Sequence, residues 1–190
     1  MMSTGTNTGD IPAISAVICT RNRPDKIGTA VATVLANDHD DFTLTVIDQS
    51  TDDQTRTIVE DLAKRDDRLR YEHMDEAGLS KAYNRGVALT SSEILAFTDD
   101  DCVAPVGWLR SIEAAFAAEP DGDLLYGQVI PLETGTDETG LTPQLTFDRP
   151  ERLSKGDGFR VFGMGANFAA RRRLFESIGG FDEVLGGGGP

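Results

Sequence analysis

The run EILAFTDDDCVAP, residues 93–105, decides how this chain is read. An apolar, β-rich stretch leads straight into three carboxylates, Asp99, Asp100 and Asp101, and a cysteine and a proline follow. The apolar part has the make-up of a buried strand. Three adjacent negative charges repel one another, so their position at the end of such a strand calls for a compensating partner.

Working outward, strand and helix signals alternate. ISAVICT (Ile14–Thr20) reads as a first strand. Ile27, Ala30, Val31, Val34 and Leu35 then recur at helical spacing behind Pro24, which suits a first helical turn. FTLTVID (Phe42–Asp48) is the second strand, and Thr51 three residues before Gln54 predicts a capping box. Thr55, Ile58, Val59 and Leu62 give the buried stripe of the helix behind it. Residues 69–74 predict a third strand, and Leu79, Ala82, Tyr83, Gly86 and Val87 a third helix with Tyr83 in the core. After residues 93–98 as strand four, Trp108, Leu109, Ile112 and Phe116 mark a helix opened behind Pro105. Residues 124–132 predict strand five. Periodicity is lost over residues 133–157, which predicts a functional or mobile loop. A short strand near residues 166–169 and a helix from Arg171 follow, and the terminal GGGGP carries no structural signal.

This alternation predicts an α/β fold with a mostly parallel sheet and right-handed crossovers. Ligands of such sheets bind outside the carboxyl ends of the strands. If the first, second and fourth strands are neighbours, Thr20, Arg21, Asp48 and the aspartate triad share one crevice. Side chains alternate along extended chain, so Asp99 and Asp101 should face one side and Asp100 the other. Two carboxylates on one side resist joint ionisation, and a divalent cation removes the conflict. Oxygen ligands favour Mg²⁺ or Mn²⁺, which keep waters and recruit phosphate oxygens. The plainer alternative is a solvated acidic turn, since Asp40–Asp41, Asp52–Asp53 and Asp66–Asp67 are further acidic pairs.

Composition narrows the classes. The 190 residues suit one domain with a real core, and 39% are hydrophobic, unlike a disordered chain. A formal charge of −14 disfavours nucleic acid and anionic lipid as partners. Only Lys26, Lys64, Lys81 and Lys155 are lysines. An acidic, lysine-poor surface suits a high-salt cytoplasm, and a GC-rich genome favours arginine equally. No apolar run is long enough for a membrane span, and residues 1–13 read as a disordered tail rather than a signal peptide, so the expected compartment is the cytoplasm. No C-x-x-C occurs and His39 and His73 share no motif with Cys19 and Cys102, so a zinc site or disulfide scaffold is not expected, and both cysteines read as small buried hydrophobes. The histidines lie away from strand ends and no G-x-S-x-G elbow occurs, which argues against a Ser-His-Asp hydrolase.

The segments AVICTRNRP, LTVIDQSTDD, GLSKAYNRGV, ILAFTDDDCVAPVGWL and GANFAARRRLFESIGGFDE occur in this order. The ordered set resembles family 2 glycosyltransferases with the GT-A fold, and the resemblance covers most of the chain. It implies transfer of a sugar from a nucleotide-diphospho-sugar, of the UDP or GDP type, to an acceptor hydroxyl on a glycan, lipid or protein, with inversion and a divalent metal. By the same resemblance, Thr20, Arg21 and Arg23 help hold the nucleotide, and Asp48 accepts a hydrogen bond from the base. Gly78 lets backbone approach the ligand, and Lys81 is either a phosphate contact or a surface lysine. Asp101 is the direct metal ligand of a D-x-D motif, with Asp99 and Asp100 supporting the metal and the ribose. Gly163, Gly165, Ala166 and Asn167 shape the sugar and acceptor pocket, or simply pack a short strand.

One departure stands out. The family's general base usually lies in a Glu-Asp motif after the GGFDE segment, and these 190 residues contain none there. Asp182 and Glu183 are the carboxylates left nearby. The expectation is one GT-A domain over residues 14–190, incomplete at its C-terminus. Membrane contact would come through parts or partners outside it. Two alternatives remain: a non-catalytic sugar-nucleotide binding module, and a sugar nucleotidyltransferase. The latter would want a Gly-rich loop after strand one, where TRNRP has no glycine.

Overall fold

Ile14–Thr20 (β1) pairs in parallel with both Phe42–Asp48 (β2) and Ile94–Asp99 (β4), and this trio forms the centre of the structure. The computed structural model describes residues 13–132, 144–154 and 163–185. Leu69–His73 (β3) adds in parallel outside β2. On the other side Asn167–Arg171 (β6) pairs antiparallel with β4, and Leu124–Tyr126 (β5) antiparallel with β6. The sheet order is therefore β3-β2-β1-β4-β6-β5, a mostly parallel six-stranded sheet. Parallel neighbours need crossovers, supplied by Pro24–Leu35 (α1), Gln54–Ala63 (α2) and Leu79–Leu89 (α3). Trp108–Ala118 (α4) and Arg172–Ile178 (α5) complete the helices.

The central strands are apolar on both faces because both faces are covered. Ala16, Ile18, Leu44, Val46 and Ala96 pack under α1, α2 and α4 with Val31, Val59, Leu109 and Ile112. Val17, Ile47, Leu95 and Phe97 face the other way, onto Ala82 and Tyr83 of α3 and Phe175 of α5. The fully buried Phe97 stacks on Phe168 at 4.5 Å between ring centroids. Burying a side chain of this size stabilises by about 1.5–3 kcal/mol. α3 approaches the sheet closely at Gly86, where a Cβ would lie 2.7 Å from Val17 Cγ1.

Several boundaries differ from the sequence reading, each for a local reason. The capping box is not formed: the Thr51 N–H and hydroxyl both donate to Asn22 Oδ1, at 2.9 and 3.3 Å. α2 instead starts behind Asp53, with no side-chain cap. Strand five stops at Tyr126 because Gly127 turns against Asn167, whose Nδ2 donates to the Gln128 carbonyl at 2.9 Å. No Cβ fits at Gly127, since it would lie 2.2 Å from that Nδ2. Val129 keeps one antiparallel bridge, to Leu145, within the stretch expected as a loop. The expected features at residues 1–12, 133–143, 155–157 and 186–190 lie outside the described residues. β6 runs to Arg171 because Arg171 and Arg172 are tied to the segments that lead into β5 and β4. Arg171 donates to the carbonyls of Gly122 and Phe116, and Arg172 to those of Ser92 and Val87.

Candidate active site

The register brings the polar strand ends together. Cys19 lies beside Asp99, and Thr20 beside Asp48, so β1, β2 and β4 end level with one another. The Thr20 hydroxyl donates to Asp100 Oδ2 at 2.7 Å. Arg23 reaches the same cluster from the β1–α1 turn. One guanidinium nitrogen donates to Asp100 Oδ1 and the other to Asp101 Oδ2, both at 2.7 Å. Asn22 adopts φ 55°, a left-handed conformation that asparagine tolerates. Its N–H donates to Ser50 Oγ at 2.8 Å and its carboxamide oxygen accepts from Thr51, which fixes the β1–α1 turn to the β2–α2 turn.

The alternation expected of the triad holds. Asp100 turns toward Thr20 and is buried, while Asp99 and Asp101 share the other side with Cys102. One ligating atom from each of Asp99, Asp101 and Cys102 lies within 4.8 Å of the others. Burial, then the charges of Asp101 and Asp100, push the Asp99 carboxyl above its usual range, against a smaller opposing pull from Arg23. Burial also raises Asp100, although the Thr20 hydroxyl and Arg23 oppose it. Hydrogen bonding to Asp101 leads the causes that hold Arg23 above its ordinary value. Arg23 alone does not balance three carboxylates. Two carboxylates and a thiol on the open side are a donor set that fits a divalent cation.

Asp48 is wholly buried. Its Oδ2 accepts from the Tyr71 hydroxyl and its Oδ1 from the Ser50 N–H, both at 2.8 Å. Burial, then the bond to Asp48, pushes Tyr71 up to about 12. Asp48 is therefore held within the end of β2 by Tyr71 and Ser50. It does not cap α2, which opens behind Asp53. Gly78 precedes α3 at φ 135°, a backbone that side chains rarely adopt, so glycine is required there. The Gln49 amide donates to the carbonyls of Glu76 and Gly78, pinning this turn to the end of β2. Lys81 is paired at 2.8 Å with Glu76, as a surface lysine would be. Arg21 is exposed at the β1 exit.

On the α3 side, Asn84 holds the GGFDE segment. Its Oδ1 accepts from the Phe181 N–H at 2.8 Å, and its Nδ2 donates to the Phe181 carbonyl at 3.0 Å and to Glu183 Oε1 at 2.9 Å. Asp182 Oδ1 accepts from the Val184 N–H at 3.0 Å. Phe181 joins Tyr83, Phe97, Phe168 and Phe175 in one aromatic cluster. Tyr83 is core, as expected, but its hydroxyl is buried and has no partner among the described residues. Asn167 is a clamp: its Oδ1 accepts from Trp108 Nε1 at 2.9 Å while its Nδ2 holds Gln128. Gly163 sits against the Tyr126 ring with no room for a Cβ, and Gly165 lies near the Tyr83 hydroxyl.

Asn22, Gln49, Tyr71, Asn84 and Cys102 are residues of this region that the sequence did not single out. Asn84 and Gln49 gave no signal, because one polar residue on a helix or after a strand is ordinary surface composition. Cys102 was visible only as the neighbour of the triad.

Comparison with known proteins agrees with this fold. The chain is 24% identical over 184 residues to the glucosyl-dolichyl phosphate glucuronosyltransferase of Haloferax volcanii, covering 91% of this chain and 57% of that enzyme. In fold it matches the Pyrobaculum calidifontis mannosyltransferase PcManGT, solved with GDP-Man and Mn²⁺, at a TM-score of 0.69 and 18% identity, over 95% of this chain and 50% of that one. S. aureus TarS 1–349 in complex with UDP-GlcNAc matches at a TM-score of 0.71 and 23% identity, over 90% and 49% of the two chains. The chain thus spans about half the length of these relatives. The family model for glycosyl transferase family 2 matches residues 15–179, from β1 through α5, and the chain belongs to that family.

Proposed function

We propose that this chain binds a nucleotide-diphospho-sugar of the UDP or GDP type and transfers its sugar, with inversion, to an acceptor hydroxyl, using Mn²⁺ or Mg²⁺. The observation that carries this reading is the split of the triad: Asp100 is held by Thr20 and Arg23, while Asp99 and Asp101 share the open side. The GDP-Man, Mn²⁺ and UDP-GlcNAc named for the two structural neighbours support the donor class.

Each residue has a distinct task in this reading. Asp101 and Asp99 hold the cation. When bound, the cation offsets the charge of the departing diphosphate. Asp100 fixes the turn that carries Asp101 and faces the ribose side with Thr20. Arg21 and Arg23 supply positive charge at the nucleotide. Asp48 orients Tyr71 and the Ser50 backbone around the base rather than touching it. Gly78 lets the β3–α3 turn approach the nucleotide, and Lys81 offers a charge to phosphate on leaving Glu76. Gly163, Gly165 and Asn167 border the sugar.

In the transfer, the acceptor oxygen bonds to the anomeric carbon as the bond from that carbon to the diphosphate oxygen breaks. The hydroxyl proton passes to a carboxylate base, and the nucleoside diphosphate leaves. Asp182 and Glu183 are the nearest candidates for that base in the GGFDE segment. Their bonds to the Val184 N–H and to Asn84 favour a second reading, in which these residues form a donor-binding module and the base lies elsewhere. A lipid-carried acceptor, of the kind named for the Haloferax relative, would bring a cytoplasmic protein to the membrane surface. No helix among the described residues is long and apolar enough to cross a membrane.

The test is incubation with UDP- and GDP-sugars, Mn²⁺ and polyprenyl-phosphate or glycan acceptors, following nucleoside diphosphate release and the anomeric configuration by NMR. Release with an inverted product supports transfer. Donor binding without turnover supports the module. Absence of donor binding overturns both.

A further inference from the structure

We infer that Cys102 is a ligand of the cation site, so that the ion is held by one oxygen each of Asp99 and Asp101 and by the Cys102 sulfur. This rests on the proposed cation dependence and names the coordination that would set the choice of ion. Three observations carry it. Asp100 is diverted to Thr20 and Arg23, so the triad offers two carboxylates on the open side rather than three. The ligating atoms of Asp99, Asp101 and Cys102 lie within 4.8 Å of one another, a spacing that one ion can bridge. Arg23 occupies Asp101 Oδ2, whereas Asp101 Oδ1 is the oxygen 4.0 Å from Cys102 Sγ.

The turn after β4 holds the thiol in place. The Cys102 N–H donates to the Asp99 carbonyl at 3.3 Å, which folds residue 102 back beside residue 99. Cys19, the other cysteine, differs in kind. It packs against the apolar cluster of Val17, Phe97 and Tyr83, whereas Cys102 belongs to neither apolar cluster.

A thiolate among the ligands changes the preference of the site. Sulfur binds borderline ions more strongly than hard ones, so Mn²⁺ and especially Co²⁺ gain over Mg²⁺. As the metal–sulfur bond forms, the thiol proton passes to water, so binding strengthens as pH rises.

Co²⁺ titrated into the full chain with UDP or GDP present tests this directly. A thiolate-to-cobalt charge-transfer band should grow in the near ultraviolet and saturate at one ion per chain. It should persist in Cys19→Ser and vanish in Cys102→Ser, whose Co²⁺ affinity should fall about tenfold while Mg²⁺ affinity holds. Co²⁺ binding seen by its d–d bands in the unaltered protein without a thiolate band would overturn the Cys102 assignment and leave the cation site standing. A band that survives Cys102→Ser and disappears in Cys19→Ser would also overturn it. No Co²⁺ binding with either nucleotide would remove the cation site and Cys102 with it.

Discussion

Arg23 and Asp101 are joined by a 2.7 Å ion pair between the turn after β1 and the turn after β4, and the same guanidinium holds the buried Asp100. Arg23 is thus the internal counter-charge of the triad. A cation bound at Asp101 has to share that carboxylate with it.

Removing Arg23 should therefore have opposite effects on folding and on cation binding. Arg23→Gln leaves Asp100 with Thr20 as its remaining side-chain partner. Arg23 is 43% exposed, which limits the loss to about 1 kcal/mol. The variant should melt lower in EDTA, regain stability when Mn²⁺ is added, and bind Mn²⁺ more tightly than the wild type. Thermal denaturation with and without Mn²⁺ checks both halves. Weaker Mn²⁺ binding in the variant would contradict the shared-carboxylate picture.

Asp99 gives a pH signature. Its folded-state pKa is raised by burial and by Asp101 and Asp100, so its ionised form opposes folding. Cation-free stability should fall as pH rises from the ordinary carboxylate range through that raised value. Asp99→Asn removes this loss. It should be more stable than the wild type at neutral pH, with the difference vanishing in acid. Urea unfolding across that range is the measurement, and equal slopes for the two proteins would contradict it.

Tyr83→Phe should stabilise the protein. The hydroxyl is buried without a partner among the described residues, and such a group costs about 1–3 kcal/mol. The ring contacts to Phe97, at 5.2 Å, and to Phe168, at 5.6 Å, do not need the oxygen. A lower melting temperature for Tyr83→Phe would show that the hydroxyl has a partner after all.

The central architecture was legible because parallel strands buried on both faces must be largely apolar, and residues 14–20, 42–48 and 94–99 are so up to their polar ends. The split of the triad followed from strand alternation alone. Pairing partners were less visible. Nothing in the sequence tells that Arg23 turns back onto Asp100 and Asp101, since the contact spans 77 residues and more. The resemblance makes Asp48 a contact to the base, but it does not reveal the 2.8 Å bond that Asp48 accepts from Tyr71, which comes from a neighbouring strand whose register the sequence does not show. The early end of β5 has the same origin. Residues 124–132 carry a strand pattern, but Asn167, across the sheet, takes the Gln128 carbonyl and turns the chain away. Local patterns are written in neighbouring residues, whereas side-chain bonds between distant elements depend on packing that only the folded chain defines.

The most direct test of the cation reading is calorimetric titration of a UDP- or GDP-sugar into the wild type and into Asp101→Asn, each with Mn²⁺ and with EDTA. Binding should be tight for the wild type with Mn²⁺, weak in EDTA, and weak for Asp101→Asn under both conditions. Equal affinity of the two proteins with Mn²⁺ would contradict the assignment of Asp101 as the residue that couples the donor to the metal.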